Sequence, residues 1–149
     1  MRVEAFLADT AEVVNGKIYA LGIGWNTIFV RQFPAVHRRL SIGITAHVPF
    51  TDTNVQHKLE VRLVTEDGET YPIGMRADGD GNPQPIHALG GEFTLGRPPH
   101  LADGFEQVAC FAFTLDGLRF DQARQFSWVI SVDGEEASRL SMRVQLGQQ

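Results

Sequence analysis

Apolar and polar residues alternate at every second position over most of this chain, which is the pattern of half-buried β-strands. From Arg39 to Val48 the even-numbered positions are apolar and their neighbours are mostly polar. The same period recurs from Lys58 to Thr65 and from Glu106 to Leu115. No segment has the apolar spacing of a long amphipathic helix, and only Leu118 to Arg124 fits a short helix or turn. The pattern therefore predicts an all-β fold.

The strands are separated by a recurring turn signal, Asn or Asp followed by Gly. It occurs seven times, at residues 15–16, 67–68, 78–79, 80–81, 103–104, 116–117 and 133–134. This pair readily takes the positive φ angles of a type I′ hairpin turn, because Gly has no Cβ and Asn or Asp tolerates the left-handed region. We expect Asn15-Gly16 to join an opening strand at residues 2–9 to a long strand from Lys17 to Val30.

The clearest predicted element is a closing hairpin with its turn at Asp133-Gly134. Its inward-facing residues are predicted to be Phe126, Trp128, Ile130, Val132, Leu140, Met142, Val144 and Leu146. About eight or nine short strands at regular spacing predict a single antiparallel β-sandwich domain over residues 1–149. The stretch from Arg76 to Ile86 is expected to be an irregular loop, since Gly, Asp and Pro pair poorly in a sheet.

Charge and composition narrow the possible partners. The formal net charge is −5 and the basic residues are scattered, so no basic stripe is present to bind a nucleic-acid backbone. No apolar run approaches the roughly 20 residues of a membrane span, and the acidic N-terminal segment lacks the apolar core of a secretory signal. We expect a cytoplasmic protein that binds neither nucleic acid nor membrane. The single cysteine, Cys110, lies in an apolar run and is expected to be buried and inert.

One segment, from Phe6 to Ile28, carries a recognisable set of motifs. These are LAD-x-A, NGK and G-x-G-W, formed by Leu7, Ala8, Asp9, Ala11, Asn15, Gly16, Lys17, Gly22, Gly24 and Trp25. The segment resembles the opening of a family of small uncharacterised bacterial proteins, a domain of unknown function. The resemblance implies a small, cytoplasmic, β-rich protein and implies no activity.

The residues around Gly22 and Gly24 make the first candidate binding surface. A phosphate-binding turn is excluded, because it needs a third glycine and a following helix. On a strand, the two glycines would instead leave a slot for an aromatic ring or a neighbouring strand. Trp25 is then a core anchor or a contact residue. We expect a binding surface formed by Trp25, Asn26, Ile28 and Phe29, because this segment carries more apolar surface than an edge strand should expose.

The loop at Asp78, Asp80 and Asn82 is the second candidate binding site. Its spacing matches the start of a calcium loop, but Pro83 and Leu89 stand where that loop needs Gly and Glu. We therefore expect an acidic surface loop that is available for contacts.

The histidines supply the weak candidates for a metal site. His47 and His57 flank a loop that contains Asp52, and two imidazoles with a carboxylate form a plausible zinc set. Strand alternation, however, sends the two rings to opposite faces. The sequence predicts no committed metal ligand and no cofactor.

The function predicted from the sequence is non-enzymatic, since the chain has neither a nucleophile elbow nor an activated cysteine. We expect an interaction module that works through self-association or a protein partner. Two alternatives remain open. One is a small-ligand or carbohydrate-binding module that uses Trp25, and the other is a small metal-dependent enzyme that uses His47 and His57.

Overall fold

The computed structural model describes residues 1–147, which form β-strands joined by turns, with one 3-10 turn at Phe50–Asp52 and no α-helix. The all-β prediction is confirmed. No helix in the described range is long and apolar enough to cross a membrane. The strands are β1 (Arg2–Ala8), β2 (Thr10–Val14), β3 (Lys17–Leu21), β4 (Thr27–Val30), β5 (Ala35–Val48), β6 (His57–Thr65), β7 (Thr70–Tyr71), β8 (Gly74–Ala77), β9 (Pro83–Ile86), β10 (Leu89–Phe93), β11 (Gln107–Phe120), β12 (Arg124–Val132) and β13 (Glu135–Leu146).

These strands form two sheets and two separate hairpins. The first sheet has the order β1-β5-β11 and is antiparallel throughout. The second has the order β10-β6-β12-β13-β4, and β7 also pairs with β6. One pairing in it, β4 with β13, is parallel. The hairpins are β2-β3 and β8-β9.

The core lies between the inner faces of the two sheets. In β5 the even-numbered residues from Leu40 to Val48 are all fully buried, as their alternation predicts. Facing them from β12 is the fully buried indole of Trp128, whose Nε1–H points at Met142 Sδ at 3.4 Å. The predicted inward face of the closing hairpin is confirmed except at its end, where Leu146 is 59% exposed.

The predicted strand from Lys17 to Val30 is wrong, because the chain turns in its middle. Gly22 and Gly24 have φ angles of +74° and +106°, which only residues without a Cβ adopt readily. The segment is therefore divided into β3 and β4, and the two glycines form a turn rather than a slot on a strand. The turn at Asn15-Gly16 is present, but it joins β2 to β3, while β1 pairs with β5.

Three smaller predictions are also corrected. The stretch from Arg76 to Ile86 is not irregular, since most of it lies in the exposed β8-β9 hairpin. The segment from Leu118 to Arg124 holds no helix, because β11 continues to Phe120 past a kink at Gly117, where φ is +73°. Cys110 is partly exposed rather than buried, because it pairs with Thr45 on the outer face of the first sheet, away from the core.

We predict that Trp128→Ala lowers the free energy of unfolding by about 3–5 kcal/mol, because it empties a fully buried aromatic site. Phe29→Ala is the matched control, since that aromatic side chain is 63% exposed and its loss should cost much less. Urea titration of both variants measures the difference. A cost below about 1 kcal/mol at Trp128 would contradict the core as described.

Candidate binding surface

The β2-β3 hairpin lies on the outer face of the first sheet, against β5 and β11. Its turn residues Asn15 and Gly16 both have positive φ angles, 50° and 74°, as a type I′ turn requires. Ala11 pairs with Ala20 on the side of the hairpin that faces the sheet, and Ala11 is buried there. The small alanine side chains let the hairpin approach the sheet closely.

The opposite side of this hairpin is turned to solvent and carries exposed apolar side chains beside polar ones. Tyr19 is 56% exposed and Leu21 is 72% exposed. Val14, on the same side, is 42% exposed, and Ile23, two residues after Leu21, is 57% exposed. We call these four residues the hairpin face. Single exposed apolar residues are ordinary, but a group of them marks a contact surface.

The base of the hairpin is held by hydrogen bonds that run through the glycine turn. The main-chain N–H of Asp9 donates to the carbonyl oxygens of Leu21 at 3.0 Å and of Gly22 at 3.2 Å. A Cβ at position 22 would overlap the Asp9 side chain, so this position requires glycine. The hairpin face is therefore carried on a firmly attached element.

Trp25 takes part in the same arrangement and is not an exposed platform. Its indole Nε1–H donates to the Gly22 carbonyl oxygen at 2.7 Å, and the half-buried ring packs against the core. The His37 ring lies 6.3 Å away, and burial lowers the pKa of that histidine. Of the two roles predicted for Trp25, the structure supports that of an anchor.

The predicted residues after Trp25 are divided between the core and the surface. Ile28 is wrong as a binding residue, because it is 5% exposed and pairs with Val144 in the core. Phe29, the next residue along β4, points outward and is 63% exposed. Asn26 is exposed, and its carbonyl oxygen accepts a hydrogen bond from the main-chain N–H of Arg143 at 2.8 Å.

The second predicted site, at Asp78, Asp80 and Asn82, lies at the tip of the β8-β9 hairpin. Asp78 Oδ1 accepts hydrogen bonds from the main-chain N–H groups of Asp80 and Asn82, both at 2.9 Å. This carboxylate therefore holds the turn itself together, as Asp commonly does in turns. The three residues are exposed, and within residues 1–147 they are not part of any group of three His, Cys, Asp or Glu side chains that could hold a metal ion.

The candidate metal residues are not brought together. His47 Nδ1 lies 3.2 Å from Glu106 Oε1 on the first sheet. His57, on the second sheet, has Nδ1 at 2.8 Å from Asp133 Oδ2 and Nε2 at 2.8 Å from the carbonyl oxygen of Asp52. Asp52 thus contributes its main chain rather than its carboxylate. Over residues 1–147, no three His, Cys, Asp or Glu side chains are placed to share a metal ion.

The link between His57 and Asp133 is an ion pair that the sequence does not reveal, since the residues are 76 positions apart. Both ring nitrogens face acceptor oxygens, an arrangement that favours the doubly protonated, positively charged ring. The hydrogen bond to Asp133, with that to the Asp52 carbonyl, raises the pKa of His57. The same pair lowers the pKa of Asp133, helped by the main-chain N–H of Lys58.

Comparison with known proteins identifies the family. The model of DUF6941, a family of unknown function, matches residues 4–145, and the chain belongs to this family. No curated protein and no solved structure matches the chain. The family match spans the whole β2-β3 hairpin and nearly all of both sheets.

We predict that the ion pair stabilises the fold most between about pH 4 and pH 6.5, the ordinary pKa values of its members. Above that window, stabilisation is lost as the pH rises through the raised pKa of His57. Below it, stabilisation is lost as the pH falls through the lowered pKa of Asp133. Asp133→Asn keeps a residue that tolerates the positive φ angle of 53°.

Urea unfolding at about pH 6 and about pH 9 tests this linkage. Asp133→Asn should reduce stability more at the lower of these two pH values, where His57 is charged in the folded protein. Asp103→Asn, at another Asp-Gly pair, is the control and should have the same effect at both. An equal effect of Asp133→Asn at both values would show that the pair does not titrate in this way.

Proposed function

We propose that this protein acts by binding another protein, or a second copy of itself, through the hairpin face. The observation that carries the proposal is the exposure of Tyr19 and Leu21 on one side of the hairpin, with the exposed Ile23 two residues further along the chain. Burying large apolar side chains contributes most of the affinity at protein interfaces, and aromatic residues are enriched there. An exposed tyrosine at the middle of the hairpin fits such a role.

The surroundings of the hairpin face favour a protein over a small ligand. Thr10, Glu12, Tyr19 and Leu21 line a shallow hollow of about 440 Å³ that is open to solvent. Glu12 and Lys17 lie on the same side, at pairing positions opposite Tyr19 and Val14. An apolar centre with charged neighbours is the usual composition of a protein contact surface. Small ligands are instead enclosed by concave sites.

The residues that carry the N-terminal resemblance build this same element. Asn15 and Gly16 form its turn, Gly22 forms its base, and Trp25 anchors the chain that leaves it. We propose that this N-terminal signature describes the hairpin and the way it is attached. The proposal involves no chemical step and no cofactor.

Leu21→Lys tests the proposal, because it places a charge within the proposed contact. Leu21 is the most exposed of the large apolar side chains in the described residues, so its replacement should not disturb the packing of the core. The full chain is immobilised, captured proteins are identified, and each one is purified and titrated against the wild-type chain by calorimetry. Light scattering over a wide concentration range measures self-association in parallel. We expect Leu21→Lys to weaken the binding about tenfold or more.

Met75→Lys is the matched control, since Met75 is 60% exposed on the separate β8-β9 hairpin. It should leave the binding unchanged. Binding that is lost equally in both variants would reflect a general effect of charge. Binding that Leu21→Lys leaves at full strength would overturn the hairpin face as the contact surface.

A further inference from the structure

The side chain of His57 connects three parts of the fold. His57 lies in β6 and is 5% exposed. Its Nδ1 faces the carboxylate of Asp133 in the β12-β13 turn, and its Nε2 faces the main-chain carbonyl oxygen of Asp52 in the 3-10 turn, both at 2.8 Å. The Phe93 ring of β10 lies 5.4 Å from the imidazole ring. The imidazole therefore bridges two turns that are far apart in the sequence.

The Asp133 end of this bridge is also attached to β6 without the imidazole. The main-chain N–H of Lys58 donates to Asp133 Oδ1 at 2.9 Å, and the main-chain N–H of Asp133 donates to the Lys58 carbonyl oxygen at 2.9 Å. A carboxylate is a stronger acceptor for an N–H group than an uncharged carbonyl oxygen. Asp133 would therefore keep its hydrogen bond to His57 if one ring nitrogen lost its proton.

The Asp52 end belongs to a short turn that Arg97 holds from another side. Arg97 Nε–H donates to Thr53 Oγ1, and Nη2 donates to the Phe50 carbonyl oxygen at 3.3 Å. The guanidinium carbon also lies 4.0 Å from the centre of the Phe50 ring. An arginine keeps its charge at every ordinary pH. Of these two side chains that hold the turn, His57 is therefore the one that can titrate.

Loss of a proton from His57 affects its two hydrogen bonds differently. A neutral imidazole has one N–H donor and one acceptor nitrogen. With the N–H kept at Asp133, the lone pair of Nε2 faces the carbonyl oxygen of Asp52, and the contact becomes repulsive. The hydrogen bond to Asp133, with that to the Asp52 carbonyl, raises the pKa of His57, so the ring keeps its charge to a higher pH than an isolated histidine does.

We propose that the proton on His57 is a pH-controlled latch for the turn at Phe50–Asp52. With the ring charged, the latch is closed and the turn is bound to β6. With the ring neutral, the Asp52 contact opens, and the turn is held by Arg97 and by main-chain hydrogen bonds. A hollow of about 260 Å³, lined in part by His57, Asp52 and Asp133, lets water reach the freed carbonyl oxygen. The latch uses none of the residues of the hairpin face, so it does not rest on the proposed function.

The charges around the latch are mainly negative and favour a charged His57. The groups that line the hollow or lie next to it are the carboxylates of Asp52, Asp133, Glu135 and Glu136 and the amino group of Met1. On β6 and β10, Lys58 and Glu92 are next to His57 and Phe93 in the paired strands, and strand alternation turns their side chains to the other face. The Met1 amino group lies 3.9 Å from Asp52 Oδ2, so a test has to separate it from His57.

Nuclear magnetic resonance of the full chain reads the latch directly. The ¹⁵N shifts of the His57 ring show which nitrogen carries a proton, and the ¹³C shift of the Asp52 carbonyl reports its hydrogen bond. We expect the Asp52 carbonyl shift to follow the titration of His57 between about pH 6 and pH 9, with the neutral ring protonated at Nδ1. The Thr65 carbonyl is the control, because it accepts from the main-chain N–H of Gly68 at 2.9 Å and should not follow this titration.

Hydrogen exchange at Asn54 measures the release of the turn. The main-chain N–H of Asn54 donates to the Leu95 carbonyl oxygen at 2.7 Å, directly after the turn. We expect its exchange rate, divided by that of Gly68, to rise about threefold or more as His57 loses its proton, which is the effect of one lost hydrogen bond. The ratio removes the base-catalysed increase that both amides share. His57→Gln has no titrating ring and should give a ratio that does not change with pH.

An Asp52 carbonyl shift that stays constant while His57 titrates would overturn the latch, as would a neutral ring with its proton on Nε2. An Asn54 ratio that does not change in the wild type would show that the turn is not released, and would overturn it too. A pH dependence that His57→Gln retains would assign the effect to another group, such as the Met1 amino group. The two wild-type signals decide between these outcomes even if His57→Gln fails to fold.

Discussion

The burial of β5 on both of its faces is the constraint on which the rest of the structure depends. Its even-numbered side chains fill the core against the second sheet. On the outer face, Ser41 is also fully buried, and Gly43 has no side chain because the Phe6 ring occupies that space. A central strand buried on both sides needs a second cover, and the β2-β3 hairpin lies against β5 to provide part of it. The position of the hairpin is thus a consequence of core formation.

The β2-β3 hairpin has two sides, and only one of them packs against the sheet. The side with Ala11 and Ala20 satisfies the sheet beneath it. The side with Tyr19 and Leu21 remains exposed to water. Exposed apolar surface is unfavourable, and folding of this chain does not bury it. The hairpin crosses above β11 without pairing to it, so among the described residues β5 is the hydrogen-bonded neighbour strand of β11. The proposed hairpin face therefore comes from how this sheet is covered.

Strand alternation was enough to predict the parts of the fold whose burial is regular. The inward residues of β5 and of the closing hairpin follow directly from the period of two, and Asp133-Gly134 forms the turn of that hairpin as expected. Asn15-Gly16 also forms a turn, but between β2 and β3 rather than between the predicted strands. Prediction failed where a glycine reverses the chain. Reading Lys17 to Val30 as one exposed edge strand put Ile28 on a contact surface, whereas the turn at Gly22 and Gly24 starts a new strand in another sheet, where Ile28 is buried. The Pro-rich β9 pairs because Pro83 and Pro85 alternate, which a simple rule against proline misses.

Contacts between residues that are far apart in the sequence could not be predicted from local sequence patterns. His57 and Asp133 each looked ordinary in the sequence, one as a loop-flanking histidine and the other as a turn residue. Only the pairing of β6 with β12 brings them together. The position of β11 as the last strand of its sheet could not be predicted either, because alternation identifies a strand without telling which neighbours it has.

The β8-β9 hairpin has a separate significance for how this fold can vary. All but one of its strand residues are exposed, and its turn is closed by its own Asp78. Its length is therefore uncoupled from the packing of the two sheets. Residues 78–82 are a place where a peptide tag, a fluorophore or an inserted domain can be carried with little effect on the core. In evolution, the same independence would let this segment lengthen, shorten or change sequence faster than the sheets beneath it.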